Sequence, residues 1–316
     1  MAVTGRKKKD GVKAARPHAA KSQWRLRKSD SLQILQAEPF NQFKWLVHGF
    51  STRSGGVSEL KSSRLGRSKK ETVLNLGFTD WDPRERADAN RRLFQKALGH
   101  SDACLVTLRQ VHSDVLHVVR EPLPDAPNGD ALATQARGLL LGIQTADCIP
   151  ILLVDPRHRA VAVVHAGWRG TVARIATKTV GRMAMEFGTQ PKDVLAALGP
   201  GIGRCCYEVG PDVVKEFAAQ FPDAAEWFEG PFAALASGED PNPLPWLTMM
   251  PPGHQPPLAR CHLDLHAANS AILAHAGLQR KNILAADFCT SCRTDLFFSY
   301  RREGVTGRMM AVIGVV

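Results

Sequence analysis

The chain has 316 residues, of which 44% are hydrophobic, so it can bury a full core as one large domain or two small ones. No apolar run reaches the roughly 18 residues that a membrane-spanning helix needs, and no apolar stretch of a secretion signal follows the basic N-terminus. Seven scattered cysteines do not resemble the disulfide framework of a small secreted protein. These features predict a cytoplasmic protein in reducing surroundings.

The net charge of +11 is concentrated at the N-terminus. Ten Lys and Arg residues against Asp10 and Asp30 give residues 1–30 a charge of +8, which leaves +3 for residues 31–316. This basic tail lacks hydrophobic periodicity, so we expect it to be disordered and to bind polyanions without sequence specificity. Because the rest is nearly neutral, we expect no specific nucleic-acid partner, and because no apolar run is long enough to cross a bilayer, we expect no membrane partner.

We expect residues 31–316 to form a single domain. An early strand ends at residues 48–50, and a polar loop with two adjacent glycines follows at residues 51–58. Residues 59–72, rich in Lys, Arg and Ser, indicate a flexible insertion. A helix is predicted from an N-cap at Asp82 to a stop at Gly99, and a strand is predicted over residues 104–111.

Residues 138–170 contain three short aliphatic segments, which are residues 139–143, 149–154 and 160–164. Each is bounded by Gly, Pro or Asp, as is typical of strands that are buried on both faces. We predict three adjacent strands, of which the second and third form a hairpin. Cys148 and His165 would then lie at one edge of the same sheet.

The C-terminal half alternates helices, strands and one long excursion. A periodic apolar pattern predicts an amphipathic helix over residues 171–187, and Asp264 is a predicted N-cap. The remaining predictions are a strand at 194–198, a helix from 211, a proline-rich surface excursion at 224–258, a helix at 265–276, and strands at 283–285 and 309–316.

His112, Cys148 and His165 each stand at the end of a predicted strand. Two nitrogens and one thiolate suit zinc, with a fourth position open to water or substrate. The separations of the three residues match no local zinc pattern, so the alternative that Cys148 is a small buried thiol without a metal remains open. Cys289-x-x-Cys292 with Cys205-Cys206 is a weaker candidate for a second, structural zinc site, because vicinal cysteines chelate poorly.

Nine segments in this order resemble the laccase-domain family, whose members were once labelled polyphenol oxidases and are now associated with purine nucleoside phosphorylase and adenosine deaminase activity. The segments are HGFSTR at 48–53, GGVS at 55–58, NLG at 75–77, RQVH at 109–112, GDA at 129–131, TADC at 145–148, VHAGWRG at 164–170, the Gly-rich stretch at 199–210 and FSYRR at 298–302.

The resemblance implies an α+β fold, a layered sandwich of two central mixed β-sheets flanked by helices. It also implies a metal site in which zinc is held by His112, Cys148 and His165, and it places the family's loop arginine and asparagine on Arg53 and Asn75. The tail and the segments 59–72 and 224–258 are longer than the family pattern suggests.

The favoured hypothesis is a zinc-dependent purine nucleoside phosphorylase acting on adenosine, inosine and S-methyl-5'-thioadenosine, with adenosine deaminase as a second activity. Arg53 would bind phosphate together with Arg169 and the helix start at Thr171. Cys148 belongs to the reactive centre, and Asp147 is the nearest candidate for the acid that protonates the departing base.

Three other hypotheses stay open. A cysteine hydrolase or amidase would use Cys148 as its nucleophile on cell-wall precursors. A non-catalytic binding protein would be anchored to RNA or membrane lipid by its basic tail. A copper-dependent polyphenol oxidoreductase is disfavoured, because none of the eleven histidines forms the His-x-His pairs of a multicopper cluster.

Overall fold

The computed structural model describes residues 23–62, 69–238 and 260–316. The strands, numbered in chain order, are β1 (Trp24–Ser29), β2 (Leu32–Ala37), β3 (Leu46–Ser51), β4 (Ser54–Ser62), β5 (Lys69–Val73), β6 (Cys104–Thr107), β7 (Leu116–Val118), β8 (Ala131–Thr134), β9 (Leu139–Thr145), β10 (Ile149–Asp155), β11 (Ala160–Ala166), β12 (Leu195–Leu198), β13 (Glu208–Val209), β14 (Phe228–Glu229), β15 (Cys261–Leu263), β16 (Ile283–Ala285) and β17 (Met309–Val315). The helices are α1 (Arg84–Leu98), α2 (Trp168–Val172), α3 (Ile175–Phe187), α4 (Pro211–Gln220), α5 (Phe232–Ser237), α6 (Leu265–His275) and α7 (Tyr300–Glu303).

Two six-stranded sheets form the centre of the molecule. The first sheet has the order β1-β2-β3-β17-β9-β6, and the second has the order β16-β12-β10-β11-β8-β7. Both sheets are mixed, because β6 is parallel to β9 in the first sheet while β7–β8 and β12–β16 are parallel pairs in the second. A short sheet, β13-β15-β14, and the β4–β5 hairpin lie outside them.

One hydrophobic core lies between the two sheets. Alternate residues of β9, such as Leu141 and Ile143, pack there with Leu152 of β10 and Val163 of β11. The intervening residues face the other way, and Leu140 packs with Phe94 of α1 on the outer side of the first sheet. Because helices cover the outer faces, these strands are aliphatic on both sides.

Helices α3, α4 and α6 cover the outer face of the second sheet. The alternate residues Ile149, Ile151 and Leu153 of β10 pack there with Met183 of α3 and Phe217 of α4. The order of layers is therefore α1, first sheet, second sheet, and the α3–α4–α6 layer. This confirms the predicted α+β sandwich of two central mixed sheets flanked by helices.

The pairing of the three central strands differs from the prediction. β10 and β11 form the expected antiparallel hairpin, and Pro150 is paired with His165. β9, however, pairs with β17 and β6 in the first sheet. The prediction of three adjacent strands was wrong because an aliphatic strand buried on both faces fits either sheet equally well.

Several predicted segment boundaries differ from those in the structure. Residues 24–29, assigned to the basic tail, form β1 and pair with β2, whereas residues 1–22 lie outside the described residues. Residues 59–62 and 69–72 belong to the β4–β5 hairpin, so the prediction of a flexible insertion is wrong for them, and residues 63–68 lie outside the described residues. The excursion at 224–258 contains β14 and α5 before residues 239–259, which are also not described.

The helix caps give a mixed outcome. The carboxylate of Asp264 accepts a hydrogen bond from the Ala267 amide at 2.8 Å, so it caps α6 as predicted. Pro83, and not Asp82, occupies the N-cap position of α1, and its side chain forms no capping hydrogen bond. The helix predicted over 171–187 is two helices, α2 and α3, because Arg174 adopts a left-handed conformation between them. Among the described residues, none of the helices is both long and apolar enough to cross a membrane.

Candidate active site

His112, Cys148 and His165 meet at one end of the second sheet. Cys148 directly precedes β10, and His165 is the second-to-last residue of β11. The β10–β11 register pairs Pro150 with His165, so the two ligands are neighbours across the hairpin. His112 lies in the loop that follows β6 and has a left-handed backbone, with φ of 58°. Three separate segments therefore contribute one ligand each.

The three side chains have the geometry of a metal-ligand set. The Cys148 Sγ atom lies 3.9 Å from His112 Nε2, and the two imidazole ring centres are 4.9 Å apart. All three ligand atoms lie within 4.8 Å of one another. His165 is buried whereas His112 is exposed, so the set is closed on the protein side and open toward solvent. Two imidazoles and a thiolate with an open side fit a zinc ion that keeps one exchangeable position.

Asp130 holds the two histidine-bearing segments together. Its Oδ1 atom lies 2.8 Å from His165 Nδ1, which leaves Nε2 of that ring for a metal. The same carboxylate accepts hydrogen bonds from the amides of His112, at 3.1 Å, and Ser113, at 2.6 Å. Although burial opposes it, the hydrogen bonds from His165 and Ser113 hold the pKa of Asp130 well below its usual range. Sequence reasoning gave Asp130 no role.

Cys148 and His165 shift each other's titration. Burial alone would raise the pKa of Cys148, but the adjacent His165 and His112 lower it to about 6. Burial alone would lower the pKa of His165, but the Cys148 thiolate and Asp130 raise it to about 9. In the metal-free protein the pair is therefore a thiolate and an imidazolium between those two values. A thiolate is the form of cysteine that binds zinc.

Gly167 makes room for this arrangement. A Cβ atom at this position would lie 2.9 Å from Cys148 Sγ and 3.2 Å from a ring carbon of His112. Any side chain would push against two of the three ligands, so the glycine of the HAGWRG segment is a steric requirement of the site.

A cavity of about 1240 Å³ opens in front of the ligand set. His112, Cys148 and His165 form part of its wall. Six arginines also line it, namely Arg84, Arg91, Arg109, Arg169, Arg301 and Arg308. Four aromatic residues line it as well, namely Phe78, Trp168, Tyr207 and Tyr300. Asp125 and Asp147 are the acidic residues of the wall, so the lining carries an excess of positive charge that favours anions.

Five of the six arginines stack on aromatic rings of the wall: Arg84 and Arg91 on Phe78, Arg169 on Trp168, Arg301 on Tyr207 and Arg308 on Tyr300. The Arg169 guanidinium lies over the Trp168 ring at 4.5 Å, and that of Arg301 lies over Tyr207 at 5.2 Å. Arg169, Arg301 and Arg308 form no ion pair with any carboxylate in the described parts of the chain. Guanidinium groups held by stacking and left without a carboxylate are available to an anionic ligand.

Arg53 lies away from this cavity. Its side chain is fully buried, and its Nη1 atom donates to Glu303 and to the carbonyl of Thr294, both at 2.8 Å. Its Nη2 atom lies 3.3 Å from a Glu71 carboxylate oxygen. The predicted phosphate contact is not supported, because Arg53 uses its donors to connect the β4–β5 hairpin to the segment before α7.

Asn75 is also buried and does not line the cavity. Its amide donates to the carboxylate of Asp82 at 2.7 Å, and its carbonyl oxygen accepts from the Arg308 amide at 2.9 Å. Asn75 therefore holds the backbone of a cavity arginine instead of contacting a ligand.

Asp147 and Thr171 are two other predicted site residues, of which Asp147 lines the cavity next to Cys148 and Thr171 does not line it. The Asp147 carboxylate accepts from the Thr290 hydroxyl at 2.6 Å and from the Arg301 amide at 2.7 Å, while its backbone is left-handed with φ of 96°. The Thr171 amide donates to the Gly167 carbonyl at 2.9 Å inside the five-residue helix α2. Because that amide is already bonded, the predicted anion contact at Thr171 is not supported.

The fold and the ligand set can now be compared with known proteins. Residues 47–316 match the family described as "Multi-copper polyphenol oxidoreductase laccase". The chain belongs to this family. A purine nucleoside phosphorylase of Deinococcus radiodurans is 38% identical over 275 residues, which cover 85% of this chain and 88% of the relative.

Two further relatives extend the comparison. A protein named adenosine deaminase RL5, from an unidentified prokaryote, is 34% identical over 82% of this chain and 90% of its own length. The crystal structure of the hypothetical protein YfiH of Bacillus licheniformis superposes with a TM-score of 0.74 at 29% identity, covering 93% of this chain and all of that one. The predicted membership of the laccase-domain family is thus confirmed, and relatives of this chain are purine-nucleoside enzymes by name.

Proposed function

We propose that this protein is a zinc-dependent purine nucleoside phosphorylase acting on adenosine, inosine and S-methyl-5'-thioadenosine. The observation that carries the proposal is a single cavity in which a two-histidine, one-cysteine ligand set faces arginines without carboxylate partners. Phosphorolysis needs an anion site of this kind, because a phosphate dianion must be held beside the glycosidic bond that it attacks. The relatives named purine nucleoside phosphorylase also support a phosphorylase activity.

The arginines would bind the phosphate. Arg169 was predicted for this role, and its stacking on Trp168 keeps the planar guanidinium on the cavity wall. Arg301 is placed by the hydrogen bond from its own amide to Asp147, and Arg308 by its amide contact to Asn75. In this proposal Asp147 and Asn75 are positioning residues. Asn75 lies outside the cavity, whereas Asp147 lines it and its carboxylate accepts two hydrogen bonds, so its role as the acid that protonates the departing base stays a prediction.

The aromatic wall would bind the purine base. Tyr207 and Tyr300 line the cavity together with Trp168, and flat rings of this kind stack on a purine face. Zinc held by His112, Cys148 and His165 would supply a Lewis acid that polarises a substrate oxygen. Copper would accept the same nitrogen and sulfur atoms. The described residues, however, contain no clustered set of histidines that would suit an oxidase cluster, because the second group of metal-binding side chains is made of cysteines alone.

Adenosine deamination is the second activity that the site favours. The relative named adenosine deaminase suggests it, and the reaction needs the same purine-binding cavity with water in place of phosphate. A cysteine hydrolase remains the alternative from a different class, because the pKa of Cys148 is lowered to about 6 beside two histidines. Measuring the metal content distinguishes the zinc-dependent purine enzyme from the cysteine hydrolase, since a zinc-bound thiolate is a poor nucleophile.

The deciding experiment measures zinc and phosphate dependence on the same preparations. We expect wild-type protein to release adenine from adenosine only when phosphate is present, and Cys148→Ala to lose one equivalent of zinc together with that activity. The matched control is Cys104→Ala, which alters an exposed cysteine far from both metal-ligand groups. Full activity in a wild-type protein without zinc at this site would overturn the proposal.

A further inference from the structure

Four cysteines form a second cluster outside the ligand set of the cavity. Cys205 and Cys206 lie in the loop between β12 and β13, and Cys289 and Cys292 lie in the loop that follows β16. The two loops are more than eighty residues apart in sequence, as the separation of 87 between Cys205 and Cys292 shows. All four Sγ atoms nevertheless lie within 4.8 Å of one another. The purine chemistry proposed for the cavity uses none of them.

The sulfur–sulfur distances fit a tetrahedral metal site. Cys292 Sγ lies 3.6 Å from Cys205 Sγ and 3.5 Å from Cys206 Sγ. A disulfide would require about 2.05 Å. Zinc–sulfur bonds of about 2.3 Å place the corners of a tetrahedron about 3.8 Å apart, close to the observed spacing. The vicinal pair is therefore no obstacle here, because both of its sulfur atoms already face Cys292.

The backbone around the cluster is shaped for metal-bound thiolates. The Gly203 amide donates a hydrogen bond to Cys289 Sγ at 3.2 Å. In the first loop the Cys206 amide donates to the Gly203 carbonyl at 2.9 Å and closes a tight turn. In the second loop the Arg293 amide donates to the Cys289 carbonyl at 2.9 Å and closes another turn. A Cβ at position 203 would lie 3.1 Å from that of Cys289, so glycine allows the loops this approach.

We propose that Cys205, Cys206, Cys289 and Cys292 bind one zinc ion as a closed structural site. Four thiolates complete the tetrahedron and leave no position for water or substrate, which distinguishes this site from the open set at His112, Cys148 and His165. Cys205 and Cys292 are exposed, so the ion can enter from solvent after the chain has folded.

The bound ion would fix the two loops that support the active-site cavity. The Thr290 hydroxyl, between the two cysteines of the second loop, donates to Asp147 at 2.6 Å. The Ile202 amide, in the first loop, donates to the Asp147 carbonyl at 2.7 Å. Asp147 precedes Cys148 and accepts from the Arg301 amide, so zinc at the four cysteines would hold this part of the wall in place.

The test uses the Cys148→Ala protein, in which the four cysteines are intact and the other ligand set is broken. We expect about one equivalent of zinc to remain, and its X-ray absorption spectrum should show four sulfur neighbours at about 2.3 Å. The double variant Cys289→Ser and Cys292→Ser should lose that zinc when added to the same background, whereas Cys104→Ser should not. Because the spectrum is taken with the cluster intact, the test does not depend on the double variant folding.

Three outcomes would overturn the proposal. One is a Cys148→Ala protein without zinc, and another is zinc with nitrogen or oxygen neighbours in its spectrum. The third is a Cys205–Cys292 or Cys206–Cys292 disulfide, detected by mass spectrometry after thiols are alkylated during purification. The test of the four-cysteine site is independent of the test of the proposed phosphorylase function. A wild-type protein that carries zinc only at the four cysteines would refute the proposed function and support the four-cysteine site.

Discussion

Asp130 Oδ1 lies 2.8 Å from His165 Nδ1, and this contact connects the core of the second sheet to the candidate metal ligands. The carboxylate is fully buried and also accepts the amide of His112. One side chain thus sets the orientation of one ligand ring and the backbone position of another. We infer that the metal affinity of the site depends on a residue that does not itself bind the metal.

Replacing Asp130 should therefore weaken metal binding. In Asp130→Asn the charge that stabilises the His165 ring is lost, and we expect zinc affinity at the cavity site to fall about 10- to 100-fold. Competition with a chromophoric chelator measures this, in a background without the four-cysteine cluster. The control is Asp155→Asn, which alters another fully buried carboxylate that contacts a histidine, His158, at 2.7 Å. An equal loss in both variants would indicate general destabilisation instead.

Arg169→Met should raise the phosphate KM. Loss of a charge-assisted contact of about 1.5–3 kcal/mol corresponds to about a 10- to 100-fold increase, with a smaller effect on the KM for adenosine. The measurement is initial rate against phosphate concentration at saturating adenosine. Arg182→Met is the control, because Arg182 pairs with Glu186 on the surface of α3. Unchanged phosphate dependence in Arg169→Met would transfer the role to Arg301 or Arg308.

Unlike Arg169→Met, Arg53→Met should reduce the stability of the fold and leave the phosphate KM unchanged. Removing a fully buried cation from Glu303 and Glu71 should lower the free energy of unfolding by about 3–5 kcal/mol, measured by urea denaturation. The protein that remains folded should keep the wild-type phosphate KM, because Arg53 does not line the cavity. A raised phosphate KM without a loss of stability would restore Arg53 as a ligand of phosphate.

Metal-free protein should show a reactive Cys148. Because its pKa is lowered from 9.0 to about 6, the thiolate forms as pH rises through about 6, and the rate of alkylation by iodoacetamide should level off above that value. Mass spectrometry of the Cys148 peptide follows the reaction, with the Cys104 peptide as an internal control. Zinc should protect Cys148. A midpoint near 9 would mean that the neighbouring His165 is not protonated.

Two N-terminal truncations should behave differently. Residues 1–22 carry seven of the ten basic residues of the tail, so deleting them should abolish salt-sensitive binding to polyanions and leave turnover within about twofold. Deleting residues 1–30 also removes β1, in which the Trp24 ring lies 5.6 Å from that of Phe50, and should lower the melting temperature. Equal melting temperatures for the two truncations would show that β1 contributes little.

The sequence by itself determined the local elements and located the candidate ligand set. Aliphatic runs and polar turns located β9, β10 and β11 to within two residues, because side-chain periodicity and turn chemistry are properties of neighbouring residues. His112, Cys148 and His165 were identified because donor residues of the right types stand at strand ends. Family resemblance supplied the layered architecture.

Only the tertiary structure decided which strands pair and which polar residues face the cavity. β9 joins the first sheet although its sequence suits either one. Arg53 looks like a loop ligand in sequence, yet contacts 241 and 250 residues away bury it as a structural cation. The four cysteines were discounted because one pair is vicinal, and the turns that aim their sulfur atoms together depend on two distant loops. Such contacts are non-local, so their burial and partners are fixed only when the sheets have packed.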